Sequence, residues 1–194
     1  GLLVLSALRL LGRTCDVTVL ARHPFQEALA KKLGATRVLR NAGDAGIEGA
    51  GARRYKPIKG KPSYAGGFDW IFDCAGSNRS VDDALRVAGP NAHVVMVGCA
   101  AELSHLDVTW IWARELQISG CYVYGQEHAV EQAPHTFEIT MRLLEEHPDF
   151  PIEEIVTHIV PLAHWREAMK LSLARGSHGA VKVAFDCRIR ETVA

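Results

Sequence analysis

The chain has 194 residues, 48% of them hydrophobic and 23% charged, which suits a packed globular core and excludes disordered or collagen-like chains. Lysine plus arginine number 22 and aspartate plus glutamate 22, so the formal charge is zero and no basic field for nucleic acid or anionic lipid exists. The longest apolar runs, 1–8 and 92–101, fall short of the roughly 20 residues a bilayer span requires and lack signal-peptide flanks, so no membrane partner and a cytoplasmic location are expected.

The first twelve residues read as a helix with almost no polar face, closed by Gly12, and such a helix should be covered on most sides. Asp16 to Leu20 is a short β-branched strand; Pro24 then opens a helix through Leu33, with Gly34 as its stop. Thr36 to Leu39 is a further strand, and the segment from Asn41 to Gly67, rich in Gly, Lys, Arg and Pro, reads as loop. Beyond it come a buried strand, Phe68 to Asp73, a helix over Ser80 to Ala88, an apolar strand over Ala92 to Gly98 and another over Leu116 to Val123. Continuous apolar strands alternating with helices require a parallel sheet covered on both faces, so the class is α/β, doubly wound. The tail keeps alternating, with a helix from Pro134 to His147, a strand over Ile155 to Val160, a helix over Ala163 to Ala174 and a closing strand from Ala180 to Phe185; Tyr124-Gly125 marks a change of layer.

Five cysteines, Cys15, Cys74, Cys99, Cys121 and Cys187, are scattered with no C-x-x-C pair, which suits free thiols in a reducing compartment acting as small buried hydrophobes. The nine histidines show no helical ligand pair, so no metal site is expected in this chain. An open α/β sheet binds ligands outside the carboxyl ends of its strands. After Leu20, where an acid would accept hydrogen bonds from the ribose hydroxyls of NAD, stand Ala21, Arg22 and His23. The acceptor is missing and a guanidinium able to grip a 2′-phosphate has appeared, which favours NADP over NAD. Cys74-Ala75-Gly76-Ser77, Gly98-Cys99 and Gly120-Cys121-Tyr122-Val123 are further small-residue strand ends against which a dinucleotide could lie.

Read together, Lys32-Leu33-Gly34-Ala35, Phe68-Asp69-Trp70-Ile71-Phe72-Asp73-Cys74-Ala75-Gly76, Val94-Val95-Met96-Val97-Gly98, Glu115 to Gly120 and Gly179-Ala180-Val181-Lys182-Val183 resemble the cofactor-binding half of zinc-dependent alcohol dehydrogenases of the medium-chain dehydrogenase/reductase family. Gly1 falls where the third glycine of the family's G-x-G-x-x-G fingerprint stands. The resemblance therefore implies a Rossmann-type parallel sheet lacking its first strand, with two unpaired strand edges. Residues 1–124 would form an incomplete dinucleotide-binding domain, and 125–194 a segment returning to the catalytic domain.

By the same resemblance Gly1, Ala21, Arg22, His23, Cys74, Ala75, Gly76, Ser77 and Gly98 contact the cofactor. Cys99, Cys121 and Val123 would present main-chain groups to the nicotinamide carboxamide, and Lys182 would approach the diphosphate. The implied parent is an NADP(H)-preferring oxidoreductase acting on a small alcohol or carbonyl. Its catalytic zinc and catalytic residues lie outside this chain, its subunits form a homo-oligomer near Trp110 and Trp112, and the isolated chain is inactive. A zinc-free quinone or enone reductase of the same family, or a non-catalytic NADP-binding relative, would share this cofactor half.

Overall fold

A computed structural model describes residues 1–42, 51–56, 58, 63–98 and 102–189. Its first unit runs α1 (Leu2–Leu10), β1 (Thr18–Leu20), α2 (Pro24–Lys32) and β2 (Arg37–Leu39). Pro24 sits in the first turn of α2, where its missing N–H is harmless, and Gly34 ends the helix at φ +92°. β1 and β2 pair in parallel, Thr18 with Arg37 through Leu20 with Leu39. Leu5, Leu29, Ala30, Leu33 and Ile155 form the core of this unit, with Val19 and Val38 packed against it.

The second unit holds β5 (Phe68–Asp73), α3 (Asn78–Val87), β6 (Ala88–Met96), α4 (Thr109–Ala113) and β7 (Gln117–Gly120), with the three strands parallel in the order β5-β6-β7. α3 forms because Val81, Ala84, Leu85 and Ala88 recur at helical spacing and all four are buried against Val94 and Leu116. Ser77 and Ser80 close its N-terminus with a reciprocal capping box. Leu85, 1% exposed, contributes roughly 1.5–3 kcal/mol through burial alone. Gly67, at φ +140°, leads into β5, and a Cβ there would lie 2.2 Å from the Val87 carbonyl oxygen.

The remaining elements are an antiparallel pair, β3 (Arg53–Tyr55) with β4 (Ser63–Ala65), then α5 (Thr136–Glu146), β8 (Val156–Pro161), α6 (Trp165–Leu173), α7 (Arg175–His178) and β9 (Lys182–Asp186), with β8 and β9 parallel. Ile155, Phe150, Ile152 and Val181 carry the C-terminal part onto the core of the first unit. Among the described residues no strand joins β1 to β5, so each has one edge without a strand partner, and the apolar core divides into one main cluster per unit.

Several expectations change. The segment from Asn41 to Gly67 contains the β3–β4 pairing, whose three-residue strands are too short to signal themselves by alternation. The last sheet strand stops at Gly120, and Val123 adopts φ +43°. α1 buries Leu5, Ser6 and Leu10, yet Leu3 and Leu11 are 58% and 52% exposed, because it rests on one side only. Trp110 and Trp112 lie on α4, the first packed on the α3 core and the second 73% exposed. No helix among the described residues is long and apolar enough to cross a membrane.

Candidate functional site

Strand register collects the carboxyl ends. Asp73 is level with Met96 and Met96 with Gly120, so Cys74, Val97 and Cys121 leave β5, β6 and β7 along one edge of the sheet. Gly1 is the N-cap of α1, and a Cβ placed on it would lie 4.0 Å from the Cβ of Cys74. α1 therefore begins at that edge, while Ala21, Arg22 and His23 follow β1 in the separate β1–β2 pair. Helix N-termini that open at such an edge direct N–H groups toward an anion.

The turn after β5 is held from within. The Asp73 carboxylate, 5% exposed, accepts hydrogen bonds from the Ala75 N–H at 3.1 Å and the Gly76 N–H at 3.2 Å. Its carbonyl accepts from Val97 at 2.9 Å and Gly98 at 2.7 Å, fastening the two turns together. A Cβ on Gly98 would lie 2.4 Å from the Gly76 nitrogen, so the turns meet backbone to backbone. The result is a smooth surface of small residues, and Ser77 at its far end spends its hydroxyl on the α3 cap. Sequence reasoning gives Asp73 no role, although an acid that ends an apolar strand ahead of three small residues is the signal that could have found it. Asp73→Ala is expected to cost about 2 kcal/mol, because two turn N–H groups lose their acceptor; urea denaturation measures it, and a loss under about 0.5 kcal/mol would refute this role for the carboxylate.

At the end of β1 the Ala21 N–H donates to the Leu39 carbonyl at 2.8 Å, and the Ala21 side chain is buried. Arg22 is exposed and, among the described residues, has no ion-pair or hydrogen-bond partner. His23 is the N-cap of α2; its imidazole stacks on Phe25 at a centroid distance of 5.3 Å and faces Gly176 of α7, where a Cβ would fall 2.7 Å from its Cε1. The C-terminal segment thus lies against this turn.

The other predicted residues are placed less tightly. The Cys121 N–H donates to the Met96 carbonyl at 3.0 Å, so that N–H is already engaged within the sheet. Val123 is 64% exposed and holds a left-handed conformation, which is strained for a β-branched residue. Lys182 starts β9 in the separate β8–β9 sheet, exposed, with its carbonyl accepting from the Thr157 hydroxyl at 3.2 Å. Cys99 lies outside the described residues. The sequence suggests buried cysteines, but Cys15, Cys121 and Cys187 are exposed and Cys74 is partly so, because each stands past the end of a strand or helix rather than inside one.

Parallel strands with glycine-bearing turns and helix N-termini along one edge define a Rossmann-type α/β fold. The chain belongs to the zinc-binding dehydrogenases, whose family profile matches residues 1–146. It is 25% identical over 169 residues to D-arabitol-phosphate dehydrogenase of Enterococcus avium, covering 87% of this chain and 43% of that one. Its fold is shared with a short chain alcohol dehydrogenase of Escherichia coli CFT073 complexed with NADH, at TM-score 0.68, 19% identity and coverage of 94% and 48%. It is also shared with a zinc-binding dehydrogenase of Sinorhizobium meliloti 1021 bound to NADP, at TM-score 0.65, 24% identity and coverage of 96% and 49%. The chain spans a little under half the length of each of these proteins. Among the described residues no three His, Cys, Asp or Glu side chains cluster as a metal site would need, so these residues do not fit the zinc that the family's name implies.

Proposed function

We propose that these residues are the NADP(H)-binding part of an oxidoreductase that passes hydride between the nicotinamide and a small alcohol or carbonyl. The observation that carries the cofactor preference is the exposed guanidinium of Arg22, without a partner among the described residues, beside the buried methyl of Ala21. An acid at that place would accept from both ribose hydroxyls and repel a 2′-phosphate, whereas the arginine offers a planar fork to it. In this reading Gly1, Cys74, Ala75, Gly76, Ser77 and Gly98 form the surface on which the adenosine and diphosphate lie. Cys99, Cys121 and Val123 meet the carboxamide, and Lys182 approaches the diphosphate. The substrates for which the relatives are named, an arabitol phosphate and an alcohol, support a small hydroxyl-bearing substrate. The cofactor supplies the hydride chemistry; this chain's own task is to hold the nicotinamide within about 3–3.5 Å of the reacting carbon. Substrate contacts and zinc ligands belong outside these residues.

In the active enzyme, Arg22→Ala is expected to raise the KM for NADP roughly 10- to 100-fold, the loss of about 1.5–3 kcal/mol that charge-assisted hydrogen bonds supply, while the KM for NAD stays within about twofold. Steady-state kinetics with both cofactors decides it. Equal changes for the two would remove the assignment.

A further inference from the structure

The pairing of β1 with β2 sets a second arginine, Arg40, level with Ala21 and so one residue from Arg22. Val19 and Val38 are level with each other and pack together on the side of Leu29 and Ala30 of α2. The hydrogen bond from the Ala21 N–H to the Leu39 carbonyl carries the pairing one step beyond the strands, so Ala21 and Arg40 are the next level pair. The two residues stand about 4.8 Å apart across the ladder, just past the ends of their strands. Where Ala21 contributes only a methyl group, Arg40 is exposed beside it. Arg40, like Arg22, has no ion-pair or hydrogen-bond partner among the described residues.

We propose that Arg40, at the end of β2, is a second determinant of cofactor specificity and grips the 2′-phosphate together with Arg22. The inference rests on the NADP reading above. A phosphate monoester carries about −1.5 to −2 charge near neutral pH, more than one guanidinium balances. His23 is engaged by Phe25 and faces Gly176, so the second cation comes from elsewhere. The acid nearest this corner, Glu27 in the first turn of α2, is bound to Lys31 at 2.7 Å. That hydrogen bond, and more weakly the charge of Arg40, hold its carboxyl below the usual range, so it remains ionised and occupied. Two guanidinium groups on adjacent strand ends together balance the charge of one such phosphate.

The test is calorimetric titration of the protein with adenosine 2′,5′-bisphosphate and with adenosine 5′-monophosphate. The wild type is expected to prefer the bisphosphate. Arg40→Ala is expected to weaken bisphosphate binding about tenfold and leave monophosphate binding unchanged, with Arg40→Lys recovering part of the loss because it keeps the charge without the fork. If Arg22→Ala destroys the preference while Arg40→Ala leaves it intact, Arg40 has no such role and the NADP reading survives. If the wild type itself shows no preference, both fall. If Arg40→Ala weakens the two ligands equally, the residue acts on the fold, and the proposal is likewise overturned.

Discussion

Gly98→Ala is expected to destabilise the protein by about 3 kcal/mol, toward the upper end of what overpacking costs, and to abolish nucleotide binding in whatever fraction still folds. The added methyl would stand 2.4 Å from the Gly76 nitrogen, 2.8 Å from the Ala75 carbonyl carbon and 2.9 Å from the Ala75 nitrogen. Those atoms are backbone, so no rotamer change can relieve the overlap. Either turn could retreat only by giving up the Asp73 bonds, two to its carbonyl from Val97 and Gly98 and two to its carboxylate from Ala75 and Gly76. The β5 and β6 ends would then separate, and the surface assigned to the cofactor lies on both. Chemical denaturation gives the stability change, and titration with NADP gives the binding change. A variant that melts with the wild type and binds normally would show that the two turns do not meet in this way.

Arg114→Met should cost about 3 kcal/mol without touching the nucleotide surface. Arg114 follows α4 and reaches back to the far end of α3, where the last carbonyls of a helix have no partner within it. Its Nη1 donates to the carbonyls of Arg86 at 2.8 Å and Leu85 at 3.5 Å, and also to that of Ala88; its Nη2 donates to that of Tyr64. The guanidinium carbon lies 4.5 Å from the centre of the Trp110 ring. Burial holds this guanidinium below its ordinary value, yet arginine remains charged at any pH at which the protein folds. A cation at a helix C-terminus is favourable, and the bonds it donates are charge-assisted. Methionine keeps the apolar stem and removes all of them, leaving buried carbonyls unsatisfied. Lysine should restore less than half, since a single ammonium cannot span the carbonyls of Ala88 and Tyr64 together. Denaturation midpoints of the three proteins are the measurement; a cost below about 1 kcal/mol for the methionine variant would mean that the carbonyls find water instead.

Local pattern was enough for much of the fold, and it singled out the strand ends proposed here as the site. The spacing of Val81, Ala84, Leu85 and Ala88 required a one-sided helix, and Pro24 and Gly34 bracketed α2, because helix period and capping are properties of consecutive residues. The apolar run Phe68–Asp73 announced a sheet strand, and the missing acid after Leu20 followed from reading one position against the chemistry of a ribose. What the sequence could not carry was anything set by pairing between distant segments. Nothing in the residues beside Arg114 marks it, since α3, Tyr64 and Trp110 come round it only in the fold. The exposure of Cys15, Cys121 and Cys187, the division of the core between two sheets, the backbone contact of Gly98 with Gly76 and the place of Arg40 beside Ala21 all depend on register and packing across tens of residues. A strand's alternation says which side chains share a face, but only its neighbour decides what those side chains meet.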